Sequence, residues 1–450
     1  MLVTTPKGRR AFATPTRPSR PMRCMVFSLG CASGFVIGAF ASSLFTSETS
    51  GARINDEFSS AYLSESERLA AIRRAAPDIA DRLPLSFDNG FDNPCFYFDG
   101  ALRCLPAFFI AGAMQCGTGV LWRRLKNHGL VPSEHDGASH WWTLHPRSRA
   151  GLFDRYLGVF STDATVAKLR AKPKSLLGEY SQASFTFMFA EQLRLHYLYL
   201  DAFAACHSKC RSRDPPPQFA LQCARKKYDF AHCYDHANNA TVPDTFNIPS
   251  LIATVLAAKP PKLIALLREP SERLWVAFWE YGQYPARYGK SHDGFRYYFG
   301  NQSAAFDTCV NTNGRGRRKC ALRFEGYGAA EADVYYHADQ LVKGMYAVYL
   351  PEWQAALGRE NLLILRTEDQ IAHPMRTLKR VVSHLRLRPM RDEELRKARA
   401  VEVADEAEKV REAHGTMEPA VRAAVRAFYE PFNKALARQL GDPGFLWPER

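Results

Sequence analysis

Short apolar runs alternate with helical repeats along the chain from about residue 94 onward. Apolar runs predict buried strands, and apolar residues three or four positions apart predict helices that pack against them. The predicted strands are 107–111, 175–178, 263–267 and 362–365, and the predicted helices are 118–128, 185–199, 271–281 and 333–349. This alternation indicates an α/β fold, a parallel sheet flanked by helices.

The two ends of this region have a different pattern. Residues 46–93 are mostly polar with one predicted amphipathic helix, 64–76, and are interpreted as a stem. The C-terminal residues 396–439 are mostly helical, with Pro419 at a helix start and Pro431 predicting a break or kink.

The stretch 106–129 predicts a strand, a tight loop and a helix. Gly112 and Gly117 bracket a loop of the length found in phosphate-binding loops, where main-chain N–H groups and a helix start can hold an anion. In an open parallel sheet, ligands bind beyond the carboxyl ends of the strands, which is where this loop falls. Thr118 stands where a nucleotide-binding P-loop has lysine, so an ordinary strand-to-helix turn is the alternative.

The length and net charge of the chain indicate what kinds of partner it can bind. The chain has 450 residues, enough for a sizeable core, and a formal net charge of +14. Such a charge suits an anionic partner, which leaves nucleic acid, an anionic membrane surface, a nucleotide and an acidic polysaccharide as classes. Six of the positive charges precede residue 24.

Residues 24–45 are 22 consecutive positions without a charge. At 1.5 Å per residue they can cross a bilayer core of about 30 Å, and the basic residues before them place the N-terminus in the cytoplasm. We therefore predict a cytoplasmic tail (1–23), a transmembrane signal anchor (24–45), a stem (46–93) and a lumenal domain (94–450). A cleaved signal peptide ending near Ala39-Phe40-Ala41 is the alternative.

Cysteine usage agrees with an oxidising compartment. Of 11 cysteines, eight lie outside the apolar segment and the glycine loop, and an even number in a translocated domain favours disulfides. Nearest-neighbour pairing predicts Cys95–Cys104, Cys309–Cys320 and two bonds among the remaining four, Cys206, Cys210, Cys223 and Cys233. Zinc at this last group, with His207 and His232, is the disfavoured alternative, because the spacing fits no standard ligand pattern. Asn239 and Asn301 begin glycosylation sequons.

A second candidate anion site follows the strand at 263–267. Arg268 ends that strand, Arg273 lies one helical turn into the next element, and Pro270 begins the helix. Two guanidinium groups at the carboxyl edge of a sheet suit bidentate phosphate binding. Salt bridges to Glu269 or Glu272 are the alternative.

The loop and Arg-x-Pro-x-x-Arg together resemble the two binding elements of sulfotransferases that use 3′-phosphoadenosine 5′-phosphosulfate. The chain is most similar to the membrane-anchored Golgi carbohydrate sulfotransferases of the N-acetylgalactosamine 4-sulfate 6-O-sulfotransferase type. The matching segments are Cys95-Phe-Tyr, Leu102-Arg-Cys-Leu-Pro106, His140-Trp-Trp-Thr143, Gly178-Glu-Tyr-Ser181, Lys343-Gly-Met-Tyr346 with Trp353, Leu363-Ile-Leu-Arg-Thr-Glu-Asp369, Phe428-Tyr-Glu-Pro-Phe-Asn433 and Phe445-Leu-Trp447. They occur in family order from about Pro94 to the C-terminus.

The resemblance implies a site and a reaction. The first loop, here Gln115, Cys116, Gly117, Thr118 and Gly119, would hold the 5′-phosphosulfate, and Arg268 and Arg273 the 3′-phosphate. A base would take the proton of a sugar hydroxyl while cations stabilise the leaving phosphate oxygen, with no metal required. The expected location is the Golgi lumen on a type II anchor. The expected acceptor is a galactosamine-type glycosaminoglycan or another acidic polysaccharide, with no nucleic acid, and the basic loop 315–319 is a candidate contact.

Three departures from the family pattern affect that chemistry. Gln115 replaces the loop lysine, and Val276 replaces a serine that contacts the 3′-phosphate. The glutamate thought to act as base is absent, so we take His140, with an unperturbed pKa near 6.5, as the first candidate. The outside candidates are Glu134, His135 and Asp136, and a purely structural His140 is the alternative.

Two functions therefore compete. The first is a sulfotransferase in which His140 and Gln115 take the catalytic positions. The second is a catalytically silent relative that binds a nucleotide or a sulfated glycan, favoured by Gln115, Ala138 and Val276. A P-loop phosphotransferase is disfavoured by the residues at 118 and 119. Trp141, Trp142 and Trp275 are candidates for stacking on sugar or adenine, or for the core. The sequence indicates no oligomeric state.

Overall fold

A four-stranded parallel sheet forms the centre of the protein in this computed structural model. Its strands are β3 (Phe108–Gly112), β4 (Gly178–Tyr180), β5 (Lys262–Leu267) and β6 (Leu362–Arg366), in the order β4-β3-β5-β6. Each neighbouring pair is parallel, so the predicted α/β fold with flanking helices is confirmed. A separate hairpin joins β1 (Cys95–Phe98) to β2 (Ala101–Cys104).

The structure describes residues 64–132, 139–144, 152–187, 206, 208–210, 218, 247–312, 316–325, 339–401 and 405–448. The α-helices are Glu65–Ala75, Pro77–Ala80, Thr118–Leu125, Trp141–Leu144, Leu152–Phe160, Asp163–Ala171, Ile248–Val255, Pro270–Glu280, Gln283–Tyr288, His292–Asp307, Gly316–Glu325, Asp339–Val342, Tyr346–Leu357, Thr367–Ala372, Pro374–His384, Asp392–Arg399, Glu406–His414 and Pro419–Leu440. Short 3₁₀ turns occupy Ser184–Thr186, Ser208–Cys210, Arg359–Asn361 and Pro443–Leu446, and a π turn occupies Thr308–Thr312.

The sheet separates two hydrophobic layers, as the two-residue period of a strand requires. Phe109 and Ala111 of β3 belong to the larger layer, whereas Phe108 and Ile110 belong to the smaller one. The Thr118–Leu125 and Pro374–His384 helices cover the smaller layer. Both faces of the central strands are therefore buried, which explains their continuous apolar runs.

Several predicted elements change their limits. The strand predicted at 175–178 forms at Gly178–Tyr180, where it pairs with β3, because Ser175 instead closes a turn onto Lys172. Of the helix predicted at 185–199, the described part is the 3₁₀ turn Ser184–Thr186. The helix predicted at 333–349 is interrupted between Val342 and Tyr346. A Cβ at Gly344 would lie 2.8 Å from the Tyr429 ring, so packing is tight at the interruption.

The C-terminal part is helical as predicted; of the break or kink expected at Pro431, the break is wrong, and the kink stays a prediction. The Pro419–Leu440 helix begins at Pro419 and continues through Pro431. Val425, Tyr429, Phe432 and Leu436 of this helix are buried in the larger layer. That burial outweighs the loss of one main-chain hydrogen bond at the proline.

The packed part of the chain begins before Pro94, where the sequence predicts the start of the domain. The Glu65–Ala75 helix begins with a capping box at Ser64, and Ile72 is fully buried in the larger hydrophobic layer. The guanidinium of Arg68 donates to the main-chain oxygen of Val255 (3.0 Å). This part of the predicted stem therefore packs on the domain. The predicted tail and anchor lie outside the described residues, and no helix within those residues has the length and apolar character of a membrane span.

The predicted cysteine pairs agree with the structure where it describes them. Disulfides join Cys95 to Cys104 across the β1–β2 hairpin and Cys309 to Cys320, and Cys206 is also disulfide-bonded. Asn301 is exposed on the His292–Asp307 helix, whereas Asn239 lies outside the described residues. Within the described ranges, no three His, Cys, Asp or Glu side chains are grouped as metal ligands.

Candidate functional site

The glycine loop connects β3 to the Thr118–Leu125 helix at the carboxyl edge of the sheet. Gly117 has φ 74°, a left-handed conformation that favours glycine, and it caps the helix start. The carbonyl oxygens of three successive loop residues accept side-chain hydrogen bonds. Gln115 receives Arg268 Nε (2.8 Å), Cys116 receives Thr367 Oγ1 (2.8 Å), and Gly117 receives Gln370 Nε2 (2.9 Å). Since these oxygens are turned into the protein, they do not oppose an anion at the helix start.

Gln115 occupies the position of the expected lysine and is mostly buried, with 8% of its surface exposed. Its Nε2 donates to the hydroxyl of Tyr281 (2.8 Å). Its Oε1 is buried and has no hydrogen-bond partner among the residues that the structure describes. The amide is therefore held in place but supplies no positive charge to the loop.

Arg268 joins the loop to a distant carboxylate. The side chain is 3% exposed; its Nε bonds the loop, and its two terminal nitrogens donate to Asp405 (3.1 and 2.5 Å). Burial disfavours the guanidinium charge, but the hydrogen bonds and charge of Asp405 outweigh that effect and raise the pKa of Arg268. Arg268 thus lies beside the loop with its terminal nitrogens already paired, and its contact with a 3′-phosphate stays a prediction.

Arg273 is placed differently from the expectation of an open phosphate ligand. It is fully buried, and its terminal nitrogens donate to the side-chain oxygen (3.0 Å) and main-chain oxygen (2.6 Å) of Gln340. Val276 is also fully buried in the same Pro270–Glu280 helix. In this structure these two residues support the helix, and the 3′-phosphate contact of Arg273 stays a prediction.

The remaining loop residues have mainly packing roles in the structure. Cys116 is a buried free thiol that contacts the Tyr346 hydroxyl (3.7 Å), and burial raises its pKa, so it stays protonated. Thr118 Oγ1 donates to Gln182 Oε1 (3.4 Å). A Cβ at Gly119 would lie 3.0 Å from the Tyr180 hydroxyl and 3.7 Å from Arg123 Nη1, one turn further along the same helix. Arg124 is buried.

His140 is connected to the start of the Thr118–Leu125 helix by the turn that follows β4. Its main-chain N–H donates to Ser181 Oγ (2.9 Å), and the neighbouring Gln182 contacts Thr118. The main-chain oxygen of Gln182 is also 3.3 Å from where a Cβ of Gly112 would lie. His140 Nδ1 is buried without a hydrogen-bond partner in the described ranges, and burial lowers the pKa of the ring. Burial thus favours the neutral imidazole, which is the form that can accept a proton.

The other candidates near His140 divide into two groups. Glu134, His135 and Asp136 lie outside the described residues. Trp141 and Trp142 are 4% and 1% exposed, and they pack edge to face at 4.8 Å beside Tyr156. Trp275 is likewise buried, against Phe295. The core alternative for these three tryptophans is therefore confirmed.

Four residues of the site were not singled out from the sequence. Tyr281 holds Gln115, Gln340 holds Arg273, Asp405 holds Arg268, and Glu179 receives three hydroxyl donors beneath His140. Of these four residues, only Glu179 could have been found from the sequence, because it lies in segment 178–181, which matches the family. The others are far along the chain from their partners, so no local pattern could reveal them.

The fold and loop define an α/β protein with a candidate phosphate-binding site at the carboxyl edge of a parallel sheet. The sequence is 28% identical over 368 residues to human carbohydrate sulfotransferase 15, covering 77% of this chain and 55% of that protein. The mouse protein of the same name is 28% identical over 359 residues, with the same coverage. These matches confirm the predicted resemblance to the carbohydrate sulfotransferases. The chain spans about half the length of these curated relatives.

The similarity of this chain to solved sulfotransferase structures is weak. No family model matches the chain. A sulfotransferase from Alicyclobacillus acidocaldarius aligns with a TM-score of 0.37 and 16% identity, covering 75% of this chain and 96% of that one. A sulfotransferase domain from the curacin biosynthetic pathway aligns with a TM-score of 0.29 and 13% identity, covering 75% and 98%. Scores this low support no conclusion about the site.

Proposed function

We propose that this protein transfers a sulfuryl group from 3′-phosphoadenosine 5′-phosphosulfate to a hydroxyl of a carbohydrate. The observation that carries the proposal is the glycine loop with Arg268 bonded to it, in a chain similar to carbohydrate sulfotransferases, and His140 is joined to the turn after β4 that contacts Thr118. An acidic polysaccharide is the proposed acceptor class, because the chain carries a net charge of +14. The proposed location is the Golgi membrane, in which the protein would have a type II topology.

The residues fit the donor in part. Gly117 and the helix start can receive the phosphosulfate without a side chain in the way, and Arg268 is within reach of the same loop. The donor, when bound, supplies an activated sulfur whose bond to the bridging phosphate oxygen breaks. His140 would accept the proton of the acceptor hydroxyl, and the loop amides would stabilise charge on the leaving oxygen. The poor fit is Gln115, which offers a dipole where a cation is expected.

A catalytically silent protein that binds nucleotide is the second candidate, and the engaged, neutral Gln115 favours it. One experiment separates the two. The purified protein is incubated with radiolabelled sulfate donor and a panel of desulfated glycosaminoglycans, and binding of adenosine 3′,5′-bisphosphate is measured by calorimetry. Transfer supports the enzyme. Nucleotide binding without sulfuryl transfer supports the catalytically silent protein. If the protein neither binds the nucleotide nor transfers the sulfuryl group, both proposed functions are contradicted.

The pH dependence should report on His140. Because burial lowers its pKa, the ring stays neutral below its ordinary value of 6.5, and its protonation is disfavoured in the folded protein. We expect kcat/KM to fall only as the pH decreases below 6.5. Over the same pH range, the contribution of His140 to the free energy of unfolding should also decrease. His140→Gln should abolish the acidic limb; a limb above pH 6.5, or one unchanged in the variant, would contradict the assignment.

Asp405 should weaken nucleotide binding in the wild-type protein. Its carboxylate neutralises Arg268 at a distance of 2.5 Å, so a phosphate must compete with it. We expect Asp405→Asn to raise the affinity for adenosine 3′,5′-bisphosphate by about 10-fold, a gain of about 1.4 kcal/mol, measured by calorimetry. Asp154→Asn, which removes the partner of Arg82 at the surface, is the charge-matched control. Weaker binding in Asp405→Asn would instead mean that Asp405 orients Arg268 for the ligand.

A further inference from the structure

Glu179 is a carboxylate with no exposed surface, in the middle of β4. Its Oε1 accepts hydrogen bonds from Ser139 Oγ (2.7 Å) and Ser181 Oγ (2.6 Å), and its Oε2 accepts one from the Tyr156 hydroxyl (2.5 Å). Within the described part of the chain no cationic side chain pairs with it. A buried charge held only by neutral hydroxyl groups is costly, and a hydrophobic residue of similar size would fill this space at lower cost.

The three hydroxyl groups connect Glu179 to three consecutive residues. Ser181 Oγ accepts the main-chain N–H of His140 (2.9 Å), and Ser139 Oγ accepts that of Trp141 (3.2 Å). The Tyr156 hydroxyl accepts the indole N–H of Trp142 (2.9 Å). The whole segment from 140 to 142 is therefore tied to one carboxylate.

These hydrogen bonds favour the ionised form of Glu179, against the effect of burial, which raises its pKa. A hydroxyl group has one proton, and each of these groups gives it to Glu179, which leaves only lone pairs to face the main-chain and indole N–H groups. A glutamine at 179 would present an NH₂ group to at least one hydroxyl oxygen. That hydroxyl would have to reorient, and an N–H group of the segment would lose its acceptor.

His140 needs such support because its backbone is unfavourable. Its φ of 48° lies in the left-handed region, which costs a non-glycine residue on the order of 1 kcal/mol. Ser181, which accepts the His140 N–H, lies in the turn after β4, and the next residue of that turn, Gln182, accepts a hydrogen bond from Thr118 beside the glycine loop. The network therefore fixes a strained residue beside the candidate phosphate site.

We propose that Glu179 is a positioning residue that holds the main chain of His140 through Ser181, and that of Trp141 through Ser139, so that the imidazole can meet the acceptor hydroxyl. The inference rests on the proposed sulfuryl transfer and deepens it. Glu179 touches no substrate in this role. Its effect on the rate passes entirely through His140.

The test is a double-mutant cycle of Glu179→Gln and His140→Ala, with kcat for sulfuryl transfer measured for all four proteins. Each protein is normalised to the fraction that binds adenosine 3′,5′-bisphosphate, which removes losses from misfolding. We expect Glu179→Gln to lower kcat by about 10²-fold, the scale of a misplaced catalytic group, with nucleotide affinity unchanged. The double variant should be no slower than His140→Ala, because both changes remove one function.

Two variants that each remove one oxygen atom test the proposal even if the Glu179→Gln variant does not fold. Ser181→Ala removes the acceptor of the His140 N–H and should lower kcat, while Tyr156→Phe removes a donor on the side that leads to Trp142 and should affect kcat less. Hydrogen exchange of the His140 amide should accelerate in Glu179→Gln and Ser181→Ala. The proposal would be overturned if the losses in kcat of the two single variants multiply in the double variant. It would also be overturned if the hydrogen exchange of the His140 amide is unchanged. Transfer activity of the wild type with an unaffected His140→Ala variant would overturn it too, whereas an inactive wild type would contradict the proposed function itself.

Discussion

Replacing Arg268 by alanine is expected to lower the affinity for adenosine 3′,5′-bisphosphate by about 10²-fold, the loss of a charge-assisted contact. The same change should lower the free energy of unfolding by about 3 kcal/mol, because it leaves a buried charge without its partner. Asp405 would lose both donors, and the main-chain oxygen of Gln115 would lose the Nε donor that holds the loop. Calorimetry and chemical denaturation measure the two effects separately.

A second substitution distinguishes the two roles of Arg268. In Arg268→Ala/Asp405→Ala no unpaired carboxylate remains, so part of the lost stability should return while nucleotide binding stays weak. The pair is 4% and 12% exposed, which makes such coupling measurable. Recovery of both properties would show that Arg268 serves only to neutralise Asp405. Full affinity in the single variant would exclude Arg268 from the nucleotide site.

Replacing Gln115 by lysine is expected to raise the rate of sulfuryl transfer by about 10²-fold. Removing one donor or cation that stabilises a developing charge commonly costs that much, so restoring a cation should return it. The backbone should accept the change, because Gln115 is already a non-glycine residue at φ 58°. A lysine ammonium can also donate to the Tyr281 hydroxyl, which now receives the glutamine amide at 2.8 Å.

Gln115→Met is the matched control, since methionine has a similar length and neither donor nor charge. It should give no gain in rate and should lose the hydrogen bond to Tyr281. A gain with lysine alone would establish that charge at this position limits the reaction. An unchanged rate in Gln115→Lys would mean that the leaving oxygen is stabilised by another cation, for which Arg268, bonded to the main chain of Gln115, is a candidate.

The sequence predicted the sheet well because its strands carry a strong local signal. β3 and β5 are buried on both faces, whereas the edge strand β6 is mostly half-buried; the apolar runs of all three differ from the chain around them. β4 was placed three residues early, since its three residues include a buried carboxylate and no apolar run. The continuous helix through Pro431 was missed for the opposite reason, because distant packing overrides the local effect of proline.

Within the candidate site, local patterns found the groups attached to the ends of strands. The glycine loop follows β3 and Arg268 follows β5, and neighbouring parallel strands bring their carboxyl ends together. The partners of those groups escaped detection. Asp405 lies 137 residues from Arg268, and Tyr281 lies 166 residues from Gln115.

The sequence by itself determined the fold class, the disulfides at Cys95–Cys104 and Cys309–Cys320, and the resemblance to carbohydrate sulfotransferases. Periodicity and short motifs are properties of neighbouring residues, and these features depend on little else. Only the tertiary structure decided that Arg273 is enclosed by Gln340 and that Glu179 lies beneath His140. Burial and hydrogen bonding depend on which distant segments meet, and that is settled only when the chain packs.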